Sequence, residues 1–479
     1  MKATSPAWLA LDRRAGDLEA QIYKGMRDRI LLGKLPTGQR LPSTRTLASA
    51  LGVARSTVVE AYERLKAEGY LETRTGSGSR VAAFSAPPLQ GQRPAPTPAT
   101  RRLPEPTSDG MFRSGVPDLA DFPHAAWARC LAARSRSLRV HDLGYDDASG
   151  IPALREAILE HVSVTRGVLA RPEQVLVVPS TRAAIDLLAC LLLRPGQANG
   201  DVAWVEDPGY LAGHALLRDA GARLVPVPCD AEGMDVTQAK GPPPRLICVT
   251  PSHQYPTGST LSLQRRLALL DVARANGSVV LEDDYDSEFQ YGSRPIAALQ
   301  GIDRSDVVAY LGTFAKVLAP GLRVAYAIVP NWLVQEASTM QQRKGMAVPI
   351  HIQAALADFI REGRLRAYLR RMNGKYAERM AATASALRRH CGNVLDIADG
   401  SGGLQLATWF QGRGTDDRKV AGALNAEGHG VQAMSQFYLG LPRPGLLFGI
   451  ARTNPDTVDK VIAGFARHIL RSTDQTRSP

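Results

Sequence analysis

The sequence predicts an α/β protein: a large domain of mainly parallel sheet with flanking helices, preceded by a small helical module that ends in a hairpin. Three observations carry the prediction. A proline-rich stretch, Ser85 to Ser108, divides the 479 residues into a short and a long part. Before it, three amphipathic segments lead into two strand-like runs joined through glycines. After it, short apolar runs alternate with segments of helical periodicity, as in a parallel sheet covered by helices.

The first helix is read from Leu18 to Leu32, with Leu18, Ile22, Met26 and Ile30 on one face and Gly33 as its stop. Pro36-Thr37-Gly38 makes a turn. Ser43 suits the N-cap of a second helix, Thr44 to Leu51, and Gly52 supplies the tight turn after it. A third helix runs from Arg55 to Glu68, with Val58, Tyr62 and Leu65 inward. Tyr70 to Arg74 and Arg80 to Ala82 read as strands joined by Thr75-Gly76-Ser77-Gly78-Ser79.

This order of elements is that of a winged helix-turn-helix. In that motif the start of the second helix of the pair faces base edges and phosphates. Those positions are Arg55, Ser56 and Thr57 here. Arg45, and Arg74, Gly76 and Gly78 at the wing, are placed for phosphate contact. A small helical domain that binds protein would share the same pattern. The run from Gly38 to Val81 resembles the GntR-type winged-helix domain along its whole length. That family usually has serine where this chain has Ala54.

The linker, residues 85–108, has few apolar residues to bury and favours extended conformations. The domains are therefore read as 1–84, the linker 85–108, and 109–479. The formal net charge is +12. Half of it belongs to residues 1–84, which carry 14 basic and 8 acidic residues. Double-stranded DNA is the partner that this concentration suggests. The 44% hydrophobic content excludes wholesale disorder. No apolar run approaches the ~18 residues of a membrane span, and no signal peptide is read at the N-terminus. Five scattered cysteines, none at metal-ligand spacing, fit a reducing, cytoplasmic compartment.

In the large domain, strands are read at Val175–Val178, Val202–Val205, Arg245–Thr250, Val279–Leu281 and Val307–Leu311, and helices at Thr181–Leu193 and Ser262–Ala275. Ligands of such sheets sit beyond the carboxyl ends of the strands, where the polar clusters fall. Lys316, in Gly312-Thr313-Phe314-Ala315-Lys316, follows an apolar strand. Partly desolvated, a lysine there can form an imine with an aldehyde, and Thr313 and Arg323 can bind phosphate. Glu282-Asp283-Asp284-Tyr285-Asp286 offers a carboxylate for a pyridinium nitrogen and a tyrosine for a phenolate oxygen. A metal site or a solvated acidic loop would use such a cluster equally well. His253, Gln254 and Tyr255 lie on a loop bounded by prolines and Gly258. Ser180, Thr181 and Arg182 open a helix, a place that binds phosphate. Tyr210, in Glu206-Asp207-Pro208-Gly209-Tyr210, can stack on a flat ring.

These strings together resemble the fold-type I aminotransferases that depend on pyridoxal 5'-phosphate. The more specific resemblance is to the MocR/GabR branch of the GntR regulators, which fuses a winged helix to an aminotransferase-like domain. The resemblance implies that Lys316 forms the internal aldimine, Asp283 pairs with the pyridine nitrogen, Tyr285 bonds the phenolic oxygen and Tyr210 stacks on the ring. It implies Ser180, Thr181, Thr313 and Arg323 for the phosphate, with His253, Gln254 and Tyr255 lining the site. It further implies a head-to-tail homodimer that senses the cofactor, or an amine or amino acid, and regulates transcription. An active aminotransferase with an appended DNA-binding domain is the alternative, and a cofactor-free dimerising fusion is a third.

Three positions depart from the pattern. Ala315 stands where the branch often has serine, and Ser180-Thr181-Arg182 replaces a Gly-Ala-Gln-like turn. In Gly445 to Ala451 a leucine falls where many aminotransferases hold the substrate carboxylate with arginine. Arg452, or Arg113 beside Ser114-Gly115, could supply that cation.

Overall fold

The computed structural model describes residues 9–74, 78–83, 110–144, 148–292, 296–412 and 414–474. They fall into two compact units, divided between Leu103 and Pro104.

In the first unit, α1 (Leu18–Leu31), α2 (Thr44–Leu51) and α3 (Arg55–Ala67) pack around one core, and β1 (Leu71–Arg74) pairs antiparallel with β2 (Gly78–Val81). The inward stripe read from the sequence is buried from Ile22 onward, and Leu18 at its start is half-buried. Ile22, Met26, Val58 and Leu65 are fully enclosed, with Leu47, Tyr62 and Val81 beside them. Full burial of each aliphatic side chain stabilises by roughly 1.5–3 kcal/mol. Ser43 caps α2 by accepting from the Thr46 amide at 3.1 Å. Gly52 takes the left-handed conformation (φ 64) that turns the chain into α3. Ala54 occupies the cap of α3 and provides no side-chain hydrogen bond there.

In the second unit, β3 (Val175–Val178), β4 (Val202–Asp207), β5 (Arg223–Asp230), β6 (Gly233–Met234), β7 (Leu246–Val249), β8 (Val279–Asp284), β9 (Val308–Thr313) and β10 (Ala325–Ile328) form one sheet in the order β3-β10-β9-β8-β7-β4-β5-β6. The run from β9 through β8, β7 and β4 to β5 is parallel. The sheet is mixed because β10 is antiparallel to both of its neighbours, and the short β6 folds back on β5. Even the edge strand β3 buries both faces. Val175 and Val177 join one core cluster while Leu176 and Val178 join another, on α6 (Thr181–Leu192). Burial on two sides explains why these strands read as unbroken apolar runs. A second sheet, antiparallel and in the order β11-β12-β14-β13, comprises β11 (Leu395–Ile397), β12 (Gln405–Phe410), β13 (Gln432–Ala433) and β14 (Gly445–Gly449). Among the described residues, no helix is long and apolar enough to cross a membrane.

Candidate functional site

Strand periodicity sorts the acidic cluster. Val279 and Leu281 of β8 face the α6 side, and Asp283 continues that face beyond them. Glu282 and Asp284 continue the opposite face, that of Val280. The carboxylates thus acquire separate partners. Glu282 accepts from the Leu299 and Gln300 amides at 2.7 and 2.8 Å. Asp284 pairs with Arg166 at 2.8 Å inside the protein. Asp286 lies 3.0 Å from His253 Nδ1 and accepts from the Leu404 amide at 3.0 Å. Asp283 and Asp286 both line one cavity, and of these carboxylates only Asp283 has an oxygen there, Oδ1, that is buried without a hydrogen-bond partner.

That cavity measures about 510 Å³ and lies at the carboxyl ends of β3, β8 and β9. Lys316 follows β9 in the one-turn helix Phe314–Val317, where the Ala315 amide donates to the Thr313 side chain at 3.1 Å. Its ammonium donates to the Gly115 carbonyl. Gly115 is required at that point: its φ is +76, and a Cβ there would stand 3.3 Å from Lys316 Nζ. Burial lowers the pKa of Lys316, although Asp286 and Asp283 pull it back up. Burial also raises Asp283 to about 7, helped by the charge of Asp284 and opposed by Lys316.

Opposite the carboxylate, Ser180 caps α6 at 3.1 Å from the Ala183 amide, so Ser180, Thr181 and Arg182 present a helix start to the cavity. Arg323 adds a cation from a left-handed backbone (φ 53) that non-glycine residues rarely adopt. Tyr210 and Tyr255 line another wall edge to face, their centroids 5.9 Å apart, and Arg182 Nε donates to the Tyr210 hydroxyl at 2.9 Å. Tyr285 receives a hydrogen bond from Gln405 Nε2 at 2.7 Å.

Nine residues named from the sequence therefore meet in one cavity: Ser180, Thr181, Tyr210, Tyr255, Asp283, Tyr285, Thr313, Lys316 and Arg323. Two others stand outside it. Gln254 ties its own loop together, donating to the Pro208 carbonyl at 2.8 Å and accepting from Thr257. His253 sits behind Tyr285, 3.0 Å from its hydroxyl. A loop with two prolines folds back on itself, so adjacent side chains point to different sides. Gln405 and Gln432, from the second sheet, also line the cavity. Their signal in the sequence is faint: each is a lone amide beside apolar neighbours. Leu447, on β14, is fully buried with Ala407, Met434 and Phe437. Arg113 lines the cavity, and Arg452 is not among its lining residues.

In the first unit, Arg45, Arg55 and Ser56 are exposed and Thr57 is half-buried at the starts of α2 and α3. Arg55 Nε lies 3.5 Å from Thr44 Oγ1, which joins the two helix starts. Gly78 is exposed at the head of β2. Gly76 and the side chain of Arg74 lie outside the described residues.

Residues 18–81 match the family of bacterial regulatory proteins of the gntR type, and residues 114–465 match aminotransferase class I and II. The chain is 39% identical to the probable rhizopine catabolism regulatory protein MocR of Rhizobium meliloti, across 94% of this chain and 93% of that one. It is 34% identical to the HTH-type transcriptional regulator TauR of Rhodobacter capsulatus, across 86% and 88%. A multiple substrate aminotransferase from Thermococcus profundus has the same fold, with a TM-score of 0.70 at 21% identity, over 78% of this chain and 93% of that one. Pyridoxal 5'-phosphate is the cofactor of this fold. The cavity fits it. An unpartnered carboxylate oxygen, a desolvated lysine and a capped helix start with a nearby arginine are the three groups that its pyridine nitrogen, aldehyde and phosphate require.

Proposed function

The chain belongs to the GntR-family transcription regulators that carry an aminotransferase class I and II domain, and from that premise we propose that the domain is a sensor, in which the cofactor itself, or an amine or amino acid that reaches it at Lys316, controls DNA binding. The observation that carries the reading is the meeting of Lys316 with the unpartnered oxygen of Asp283 in one cavity. When bound, the cofactor supplies an aldehyde for amines and a ring that accepts electrons.

In this reading Lys316 would engage the aldehyde and Asp283 Oδ1 would keep a proton on the ring nitrogen. Tyr285 would donate to the phenolic oxygen, Tyr210 would pack on the ring, and Ser180, Thr181, Thr313 and Arg323 would hold the phosphate. Arg55, Ser56 and Thr57 read bases, with Arg45 and the wing, Arg74, Gly76 and Gly78, on phosphate. Residues 1–84 form the DNA-binding domain, 85–108 the linker and 109–479 the sensor. The protein works in the cytoplasm as a head-to-tail homodimer. A 24-residue coil spans roughly 25–30 Å, enough for one chain's winged helix to approach its partner. A ligand regulates only by binding one arrangement of the dimer better than another.

Sustained transamination is the second reading, favoured by Arg113 in the cavity and opposed by the buried leucines of the stretch Gly445 to Ala451, where an arginine usually holds the substrate carboxylate. Mixing the protein with amino donors and a keto acid separates the two. The sensor reading expects the cofactor's absorbance to change without continuing product formation. Turnover at ordinary enzyme rates would overturn it.

A further inference from the structure

The Tyr285 hydroxyl is surrounded by groups that the fold fixes. Gln405 Nε2 donates to it at 2.7 Å, and His253 Nδ1 lies 3.0 Å away. The same imidazole nitrogen lies 3.0 Å from Asp286 Oδ1, and Asp286 Oδ2 is held by the Leu404 amide at 3.0 Å. Asp286 and His253 are 1% and 6% exposed. Gly403 makes the seat possible: its φ is +71, and a Cβ there would fall 2.0 Å from His253 Cε1.

Counting donors settles the direction of each bond. An ionised carboxylate only accepts, so Asp286 requires the proton on His253 Nδ1. The amide nitrogen of Gln405 only donates. Gln405 thus donates to Tyr285, while His253 Nδ1, its one proton committed to Asp286, has no lone pair to accept from it, so the tyrosine's own proton has no acceptor among these neighbours. That proton is left for an acceptor in the cavity. We propose that Asp286 and His253 are positioning residues that make Tyr285 an obligate hydrogen-bond donor toward an anionic oxygen of the bound cofactor. Without Asp286 the imidazole can present Nδ1 as an acceptor and capture the tyrosine proton. Burial would lower the pKa of His253, but the charge and hydrogen bond of Asp286 outweigh it and raise the pKa. The inference rests on the cofactor reading of the cavity.

The test is absorbance-monitored titration of the full chain with pyridoxal 5'-phosphate. It compares the wild type, Asp286→Asn, Tyr285→Phe and the double variant, with thermal melting as the check on folding. Asp286→Asn is expected to weaken binding roughly two- to tenfold, the worth of one hydrogen bond, and to shift the visible band of the bound cofactor. In the Tyr285→Phe background the same substitution should change both less, leaving only the loss of the Asp286 charge that acts on Lys316. An unchanged band, or an equal shift in both backgrounds, would overturn the proposal. If Asp286→Asn does not fold, His253→Gln replaces it in the same cycle, with the same outcomes. A wild type that develops no band at all would overturn the cofactor reading itself, and the inference with it.

Discussion

Replacing Arg166 by methionine should destabilise the large unit by about 3–5 kcal/mol, the cost of breaking a buried ion pair. Arg166 ends α5 (Pro152–Arg166), and its guanidinium reaches the last residue of β8. Nε lies 2.8 Å from Asp284 Oδ2 and Nη2 3.4 Å from Oδ1, and the group also donates to Ser252 and the Ile296 carbonyl. The two side chains are 2% and 1% exposed, so water cannot replace the lost partner. Asp284 keeps the Tyr310 hydroxyl, which favours the lower end of the range. For a unit of about 370 residues, 3–5 kcal/mol corresponds to a fall of roughly 4–6 °C in Tm. Calorimetry and urea denaturation of the large-unit transition measure it. Arg166→Met combined with Asp284→Leu should recover most of the loss, because a buried pair can be exchanged for apolar groups at little cost. A single-variant loss below about 1 kcal/mol, or a double variant no better than the single one, would refute the reasoning.

The remaining predictions concern caps, bases and protons. Ala54→Ser should add about 1 kcal/mol to the first unit, since α3 starts without a side-chain cap; unchanged stability in denaturant would count against it. Arg55→Ala should reduce specific DNA binding more than nonspecific binding, and an unchanged sequence preference in a random-pool selection would remove its base-reading role. Asp283 should make the cofactor-free protein less stable as pH rises. Its folded pKa of about 7 lies above the ~3.9 of an unfolded aspartate. Its contribution is therefore full below about pH 4 and is lost as pH rises through 7, by at most about 4 kcal/mol. Asp283→Asn should flatten that slope, although Glu206 and Glu282, also raised to about 7 by burial, retain part of it. An identical slope in the variant would contradict the assignment.

Local signals were readable in the sequence wherever one stretch of chain decides the outcome. The inward stripes of α1 and α3, the cap at Ser43 and the apolar runs of β3, β4, β7, β8 and β9 are such cases. Lys316, Asp283 and Tyr285 stood at strand ends, where the geometry of a parallel sheet gathers them. The rest depends on partners distant in the chain. Ala325 to Ile328 reads as a strand in either direction, and only its insertion between β3 and β9 makes it antiparallel. Arg166 lies 118 residues from Asp284, and nothing local marks it as the partner of that carboxylate. Alternation along β8 would have separated Asp283 from Glu282 and Asp284, had the strand been extended beyond Leu281. A loop at a strand end places His253, Gln254 and Tyr255 together in the sequence, and the turn of that loop directs the first two behind the cavity wall.

The central claim is that occupancy of the Lys316 cavity is coupled to the DNA-binding unit. The direct measurement is the affinity of the full-length protein for a DNA site obtained by random-pool selection, at fixed salt, with and without pyridoxal 5'-phosphate and a panel of amines. Wild type and Lys316→Ala are compared side by side. The account predicts that cofactor or amine changes the wild-type affinity about fivefold or more, the range of allosteric coupling, and leaves Lys316→Ala unchanged. A wild-type affinity that is the same under every one of these conditions would contradict it.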